Sequence, residues 1–305
     1  MKLDNISKNL LAQISGLHEL PNGAVSFRKN GKSEIAKSTA NIHIEKKEDL
    51  SGINVYVSSA CDGEACHLPV VITEGGLEDL VYNDFFIEEG ANVVIVAGCG
   101  VHSDSDTSAH NGIHTFHVGK NSKVTYLENH LATGSGKSKQ LNPLTNIEIE
   151  DGGMMTMKTT QIGGVDSSIR KTNVKLKSRA MLEVDEKILT DRFDVAKTDF
   201  KVEMLGDNAK CNIVSRSVAR GESEQVFKSN LIGKSECFGR VECDAILLDN
   251  AIVQSVPKIT AKNNKASLSH EAAVGKIAQD QLVKLMTLGL DEKQAEEKII
   301  EGFLK

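Results

Sequence analysis

Six cysteines and nine histidines are spread over this 305-residue chain, and thiolate and imidazole are the side chains best suited to hold zinc or iron. The first concentration is "CDGEACH", with Cys61, Cys66 and His67, followed by "GCGVHSDSDTSAHNGIHTFH", with Cys99, His102, His110, His114 and His117. No closed zinc pattern is present, since four residues separate Cys61 from Cys66 where two are usual. Two readings stay open here. These are scattered core and loop residues, or Cys66, His67 and Cys99, being adjacent to strands, contribute to a metal site.

The second concentration lies in "GRVECDAILLDNA", residues 239–251. Alternation puts Val241, Cys243, Ala245 and Leu247 on one face and Glu242 and Asp244 on the other. Taken alone, Cys243 reads as a packing cysteine. Glu271 comes later in the chain, however, and His270 stands beside it. The step from Cys243 to Glu271 is about 28 residues, the size of one structural repeat in a stacked fold. If it makes one turn, Cys243 and Glu271 share a wall on adjacent turns, ~4.8 Å apart at the backbone, and can share one metal ion or proton. His270 would face the opposite side unless the chain bends. Ser215 or Arg216 would lie one turn earlier, and an arginine there would favour thiolate.

The elements that must position these groups repeat. "FFIEEGANVVIV", "FHVGKNSKVTYL", "NIEIEDGGMMTM", "NVKLKSRAMLEV", "FKVEMLGDNAKCNIV", "KSNLIGKSECFGRV" and "PKITAKNNKASLS" are strand–turn–strand units. Their turn centres are Gly90, Lys120, Gly152, Arg179, Asp207, Lys234 and Asn263. The centres recur at a nearly constant interval, which marks a stacked repeat. A unit of this size cannot bury its apolar face alone and must stack on its neighbours. The pattern predicts an all-β parallel β-helix over residues 58–272; a β-sandwich is the alternative. The core must be aliphatic, because aromatics are 4% and Trp is absent. Residues 4–16 read as a short helix capped by Asp4 or Asn5, within an N-terminal lead-in of residues 1–57. From residue 273 to 305 the pattern turns helical. Ile277, Leu282, Leu285 and Met286 lie at helical spacing, Gly289 is a stop signal, and Asp291 with Gln294 resembles a capping box.

A net charge of −6 argues against nucleic-acid binding, and no apolar run approaches the ~20 residues of a membrane span. The amphipathic N-terminus lacks a signal-peptide core, so the expected location is cytoplasmic, with free thiols instead of disulfides. "LATGSGKSK" ends like a P-loop, but Leu131 stands where the first glycine belongs and a strand follows in place of a helix. No ATP is expected to bind this chain.

"SRSVARGESEQVFKSNLIG", "GRVECDAILLDNAIVQSVPKI", "SLSHEAAVGKIAQDQLVKLMTLGL" and "AEEKIIEGFLK" resemble the core of the SufB/SufD family of iron–sulfur cluster assembly proteins, densely from about residue 205 and more loosely from about residue 67. The Cys-Asp and His-Glu-Ala segments are closer to SufB. The resemblance implies a right-handed parallel β-helix with C-terminal helices. It implies a non-enzymatic scaffold for a transient iron–sulfur cluster, working with a SufC-type ABC ATPase docked on residues 273–304, a second β-helix subunit in what would be a minimal homodimer, a sulfur donor and apo-protein acceptors. Carried over by motif, Cys243 is the sulfur acceptor or iron ligand, Glu271 a weaker ligand, His270 a further candidate and Arg216 a possible support for the thiolate. "CDGEACH" matches no family motif. The rival functions are a non-catalytic adaptor of an ABC ATPase and a carbohydrate-active β-helix enzyme; the lack of Trp and a tyrosine count of only three weigh against the enzyme.

Overall fold

The computed structural model describes residues 4–305. The chain forms the expected parallel β-helix, with twenty strands among the described residues in two ten-stranded walls. After the first hairpins the chain alternates between walls, and each strand pairs in parallel with the strand one turn earlier. One wall contains Asp62–Ile72, Asn92–His102, Lys123–Thr133, Met154–Ile162, Met181–Thr190, Ala209–Ala219, Cys237–Leu247 and Ser267–Gly275 in that stacking order. We call it the cysteine wall. The facing wall ends on Glu224–Gly233 and Ile252–Ala261.

Strict alternation of buried and exposed residues follows from the two-residue side-chain period. Val195–Met204, for example, buries every second residue. The inward residues of both walls meet in a continuous core running from Ala24 to Cys243. Turns hold the stack in phase. Asn121, Arg179 and Asn208 adopt positive φ between 55° and 60° at three levels, and each donates its amide to the carbonyl of a residue one turn on: Asp151, Asp207 and Glu236. The turns differ in length, however. Along one column, in-register pairing leads from Glu128 to Thr159, then to Glu186, Ser215, Cys243 and Ala272. The step from Ser215 to Cys243 is one residue shorter than the step on either side of it.

The ends are built differently. Helix α1, Asn5–Ser15, starts at Asp4, whose side chain accepts from the Ser7 amide at 2.8 Å, and ends at Gly16. Its Leu10, Leu11 and Ile14 pack on Phe27 and Val71. The helix lies over Gly98 and Gly100, where an added Cβ would sit 2.7 Å from the Ile14 carbonyl oxygen and 3.0 Å from Leu10. This close approach accounts for the glycines on both sides of Cys99. The Ala24–Lys29 and Lys32–Lys37 strands form a hairpin through Asn30-Gly31, both at positive φ, as a tight two-residue turn requires.

At the other end, the last strand of the cysteine wall continues to Gly275, past the point where the sequence turns helical, because Ala273–Gly275 pair with Asp244–Ile246. Helices α2, Gln279–Met286, and α3, Glu292–Phe303, then fold back onto Val218, Leu189 and Ile246. Asp291 and Gln294 form a complete capping box. No helix among the described residues is long and apolar enough to cross a membrane.

Candidate functional site

Backbone pairing of the last two strands of the cysteine wall decides what faces what. Val241 pairs with His270, Glu242 with Glu271 and Cys243 with Ala272. The turn that follows Cys243 is thus one residue longer than a partnership with Glu271 needs, and a slip of one residue turns every side chain to the other face. Cys243 and Glu271 therefore lie on adjacent turns of one wall, as expected, but on opposite faces of it, and the expectation that they face a common space is overturned. Glu271 points outward, 61% exposed, and accepts from Arg240 Nη2 at 2.9 Å, while Arg240 also holds Glu242 at 2.8 Å. Arg240 keeps the Glu271 carboxyl below its usual range.

His270 is instead on the inward face, in the column next to that of Cys243. Its Nδ1 lies 3.2 Å from Ser229 Oγ and its Nε2 3.4 Å from Ser255 Oγ. Partial burial lowers its pKa, which favours the neutral imidazole needed to hold a metal. The Ser255 hydroxyl also faces the Cys243 thiol. Thiol, hydroxyl and imidazole thus meet inside the final turn. The signal for this register was present in the turns, because Lys234 and Asn263 are as far apart in the sequence as Cys243 and Ala272.

Ser215, not Arg216, sits beneath Cys243. Arg216 pairs with Asp244 on the outer face and lies 4.0 Å from Asp185, so it gives the thiol no support. Burial pushes the Cys243 pKa up to about 11; Ser255 opposes the shift, and the charges of Glu186 and Asp244 add to it. The resting group is a thiol, not a thiolate.

Below Ser215 the same inward column carries Glu186, Thr159 and Glu128. These buried polar residues escaped the sequence reading, although the alternations Val184-Glu186-Ile188 and Val124-Tyr126-Glu128 put both acids at inward positions. Ser215 and Thr198 donate to Glu186 at 2.8 and 3.2 Å. Arg170 reaches across from the facing wall, making a short ion pair with Glu128 and approaching Glu186 at 3.6 Å and His130 at 3.2 Å. Burial would raise both carboxyls. At Glu128 the charges of Arg170 and His130 outweigh it and hold the group well below its usual range, whereas Glu186 stays raised. A void of about 10 Å³ lined by Glu186, Thr198, Ser215, Gln225 and Cys243 separates this network from the thiol.

The N-terminal candidates do not converge. Cys66 belongs to the axial core, Cys99 to a separate apolar cluster, and His67 to the opposite face of the strand from Cys66. Cys66 pairs with Ile95, so Cys99 lies four residues farther along the neighbouring strand, about 13 Å away. Among the described residues, no group of three or more His, Cys, Asp or Glu is arranged to hold a metal ion. Cys99 is paired with His130 and lines a small cavity with His110, His114 and Glu128. Cys99 and Cys243 thus lie at the two ends of the buried polar network.

Residues 81–303 match the SufBD core domain of the SUF system for FeS cluster assembly. Over 280 residues the chain is 29% identical to an iron–sulfur cluster assembly SufBD family protein of Methanocaldococcus jannaschii, covering 90% of this chain and 83% of the relative. One from Archaeoglobus fulgidus is 26% identical over 262 residues, 84% of this chain and 70% of the relative. A chloroplastic one from Arabidopsis thaliana is 27% identical over 238 residues, 72% of this chain and 41% of the relative.

Proposed function

We infer the function from one premise: the chain belongs to the SufBD family of iron–sulfur cluster assembly proteins. We propose that it is a scaffold on which iron and sulfur are joined at the final turn of the β-helix. The observation that carries this reading is the meeting of Cys243, Ser255 and His270 at an end of the solenoid that nothing among the described residues covers. Ile252–Ala261 and Ser267–Gly275 each have one unpaired edge, and Ile259 and Val274 are exposed there.

The chemistry follows from the protonation states. Iron takes the place of the Cys243 proton, because a metal ligand must be thiolate. A sulfur carried as persulfide would occupy the same atom. The neutral imidazole of His270 supplies a second ligand from inside, and Glu271, on the rim of the same strand, supplies a weaker oxygen ligand once it leaves Arg240. A mixed sulfur, nitrogen and oxygen set binds iron less tightly than four thiolates, which suits a site that must release its product. Cys99 shares the same interior and is a second sulfur-handling candidate.

An unpaired sheet edge is a template for another strand, so a second copy docks on the final turn and brings a second Cys/His/Glu set. A SufC-type ABC ATPase docks on residues 273–304, where Leu288 is 76% exposed and Val283 and Met286 are also uncovered. ATP hydrolysis belongs to that partner, and this chain supplies the assembly surface.

The test is anaerobic reconstitution with ferrous iron and sulfide, read by visible absorption and by iron and sulfide content. Cys243→Ser and His270→Ala lose the chromophore, and Glu271→Ala lowers its yield by a smaller amount. Full yield in both Cys243→Ser and His270→Ala refutes the assignment.

A further inference from the structure

The opposite end of the solenoid holds a cavity of about 240 Å³ that the cluster reading leaves without a role. It lies on the Ala24–Lys29 strand, seven strands before Cys237–Leu247 in the cysteine wall, or roughly 34 Å from Cys243 at ~4.8 Å per strand. Its polar lining includes Arg28, Ser33, Ser51, Lys46 and Lys47, and among the described residues no carboxylate lines it. Leu50, Ile53, Leu68, Val70 and Val81 give it an apolar floor.

Two features show unused binding capacity. Arg28 spends one side of its guanidinium on Asp79, with Nε 2.9 Å from Oδ2 and Nη2 2.6 Å from Oδ1, and Nη2 also meets Ser51 at 2.7 Å. Among the described residues its Nη1 meets no hydrogen-bond acceptor. Ser33, in register with Arg28 across the hairpin, has a buried hydroxyl with no hydrogen-bond partner, and a buried polar atom left unmatched is costly. Lys47 is held by Asp84 at 2.7 Å, whereas Lys46 is exposed and forms no ion pair within the described residues. The cavity therefore offers donors at one end, one uncommitted positive charge at its rim, and an apolar floor.

We propose that this cavity binds a small organic carboxylate, with its oxyanion on Arg28 Nη1 and Ser33 Oγ beside Lys46 and its apolar body on the Leu50/Ile53/Val70/Val81 floor. Asp79 is part of the design. It fixes the guanidinium rigidly, so that Nη1 is presented with little loss of side-chain freedom on binding. A cation of the same shape meets the positive charges of Arg28 and Lys46 with no carboxylate among the lining residues to offset them, and is rejected.

The experiment uses the full chain and two probes of matched chain length and opposite charge, hexanoate and hexylamine, followed by ligand-observed NMR and calorimetric titration. Hexanoate binds in the millimolar range or tighter and hexylamine does not. Lys46→Glu, at an exposed position, weakens hexanoate by about tenfold, and Ser33→Leu, which fills the cavity, abolishes binding, both with an unchanged melting temperature. If Ser33→Leu disturbs the hairpin, Lys46→Glu alone decides. Equal binding of the two probes, no hexanoate binding at about 10 mM, or an unchanged affinity in Lys46→Glu overturns the proposal. Cluster yield at Cys243 is unaffected by either variant, so this site and the assembly site fail or stand separately.

Discussion

Alkylation of Cys243 by iodoacetamide puts the resting state of the site to a direct test. Only thiolate reacts, and burial with the Glu186 charge nearby puts the Cys243 pKa at about 11, against ~8.5 for an ordinary cysteine. At pH 7.5 about one molecule in three thousand carries the thiolate, so a residue reacting in place is slower than an unfolded reference by about 300-fold. Restricted access makes that figure a floor. Trypsin releases Cys243 alone, in the peptide of residues 241–258, so mass spectrometry follows it apart from the other five cysteines. The observed rate should climb about tenfold per pH unit up to pH 9 to 10, whereas that of the same peptide in urea levels off near pH 8.5. Ser255→Ala, which removes the opposing hydroxyl, slows the reaction further, and Glu186→Gln, which removes a charge, speeds it. A rate that levels off near pH 8.5 would mean that the thiol reacts from a locally opened chain with an ordinary pKa. That result, or a rate within tenfold of the unfolded peptide at pH 7.5, refutes the account of a buried, proton-bearing thiol.

Two further outcomes follow from the buried network and the C-terminal helices. Arg170→Leu strands Glu128 and Glu186 inside the solenoid and should cost about 3–5 kcal/mol in urea unfolding. Because Arg170 and His130 hold the Glu128 pKa below its unfolded value, the stability it contributes is present above about pH 4.3 and is lost as pH falls, so the variant should lose the steep acid limb of the wild-type stability profile. Leu288→Asp changes a side chain that touches little of the chain. It should leave the melting temperature unchanged while abolishing co-purification with a co-expressed SufC-type ATPase, and retention of the ATPase would remove the connection between α2 and α3 from the docking surface.

Much of this protein is legible one strand at a time. Alternation in "GRVECDAILL" is enough to put Cys243 inward, and the capping pattern at Asp291 and Gln294 is enough to start α3, because each depends on contacts within a few residues. The buried acids were legible in the same way, as Glu128 and Glu186 break an inward apolar series. Arg170 was not. It alternates on its own strand like any polar residue, and only the facing wall shows that it points toward two carboxylates.

Local pattern therefore sufficed for the stacked β-fold, for the facing of each residue within its strand, and for the cysteine around which the site is built. Which residues meet across turns came from the packed solenoid. A strand has a side-chain period of two everywhere, but successive turns here differ in length, and each added residue changes which residue of the following strand falls opposite a given one, and with it which alternate set faces in. That change moved Glu271 out to Arg240 and brought His270 in toward Cys243. Periodicity fixes facing within a strand; only the length of the intervening turn, set by how the chain packs against the preceding coil, fixes the partner.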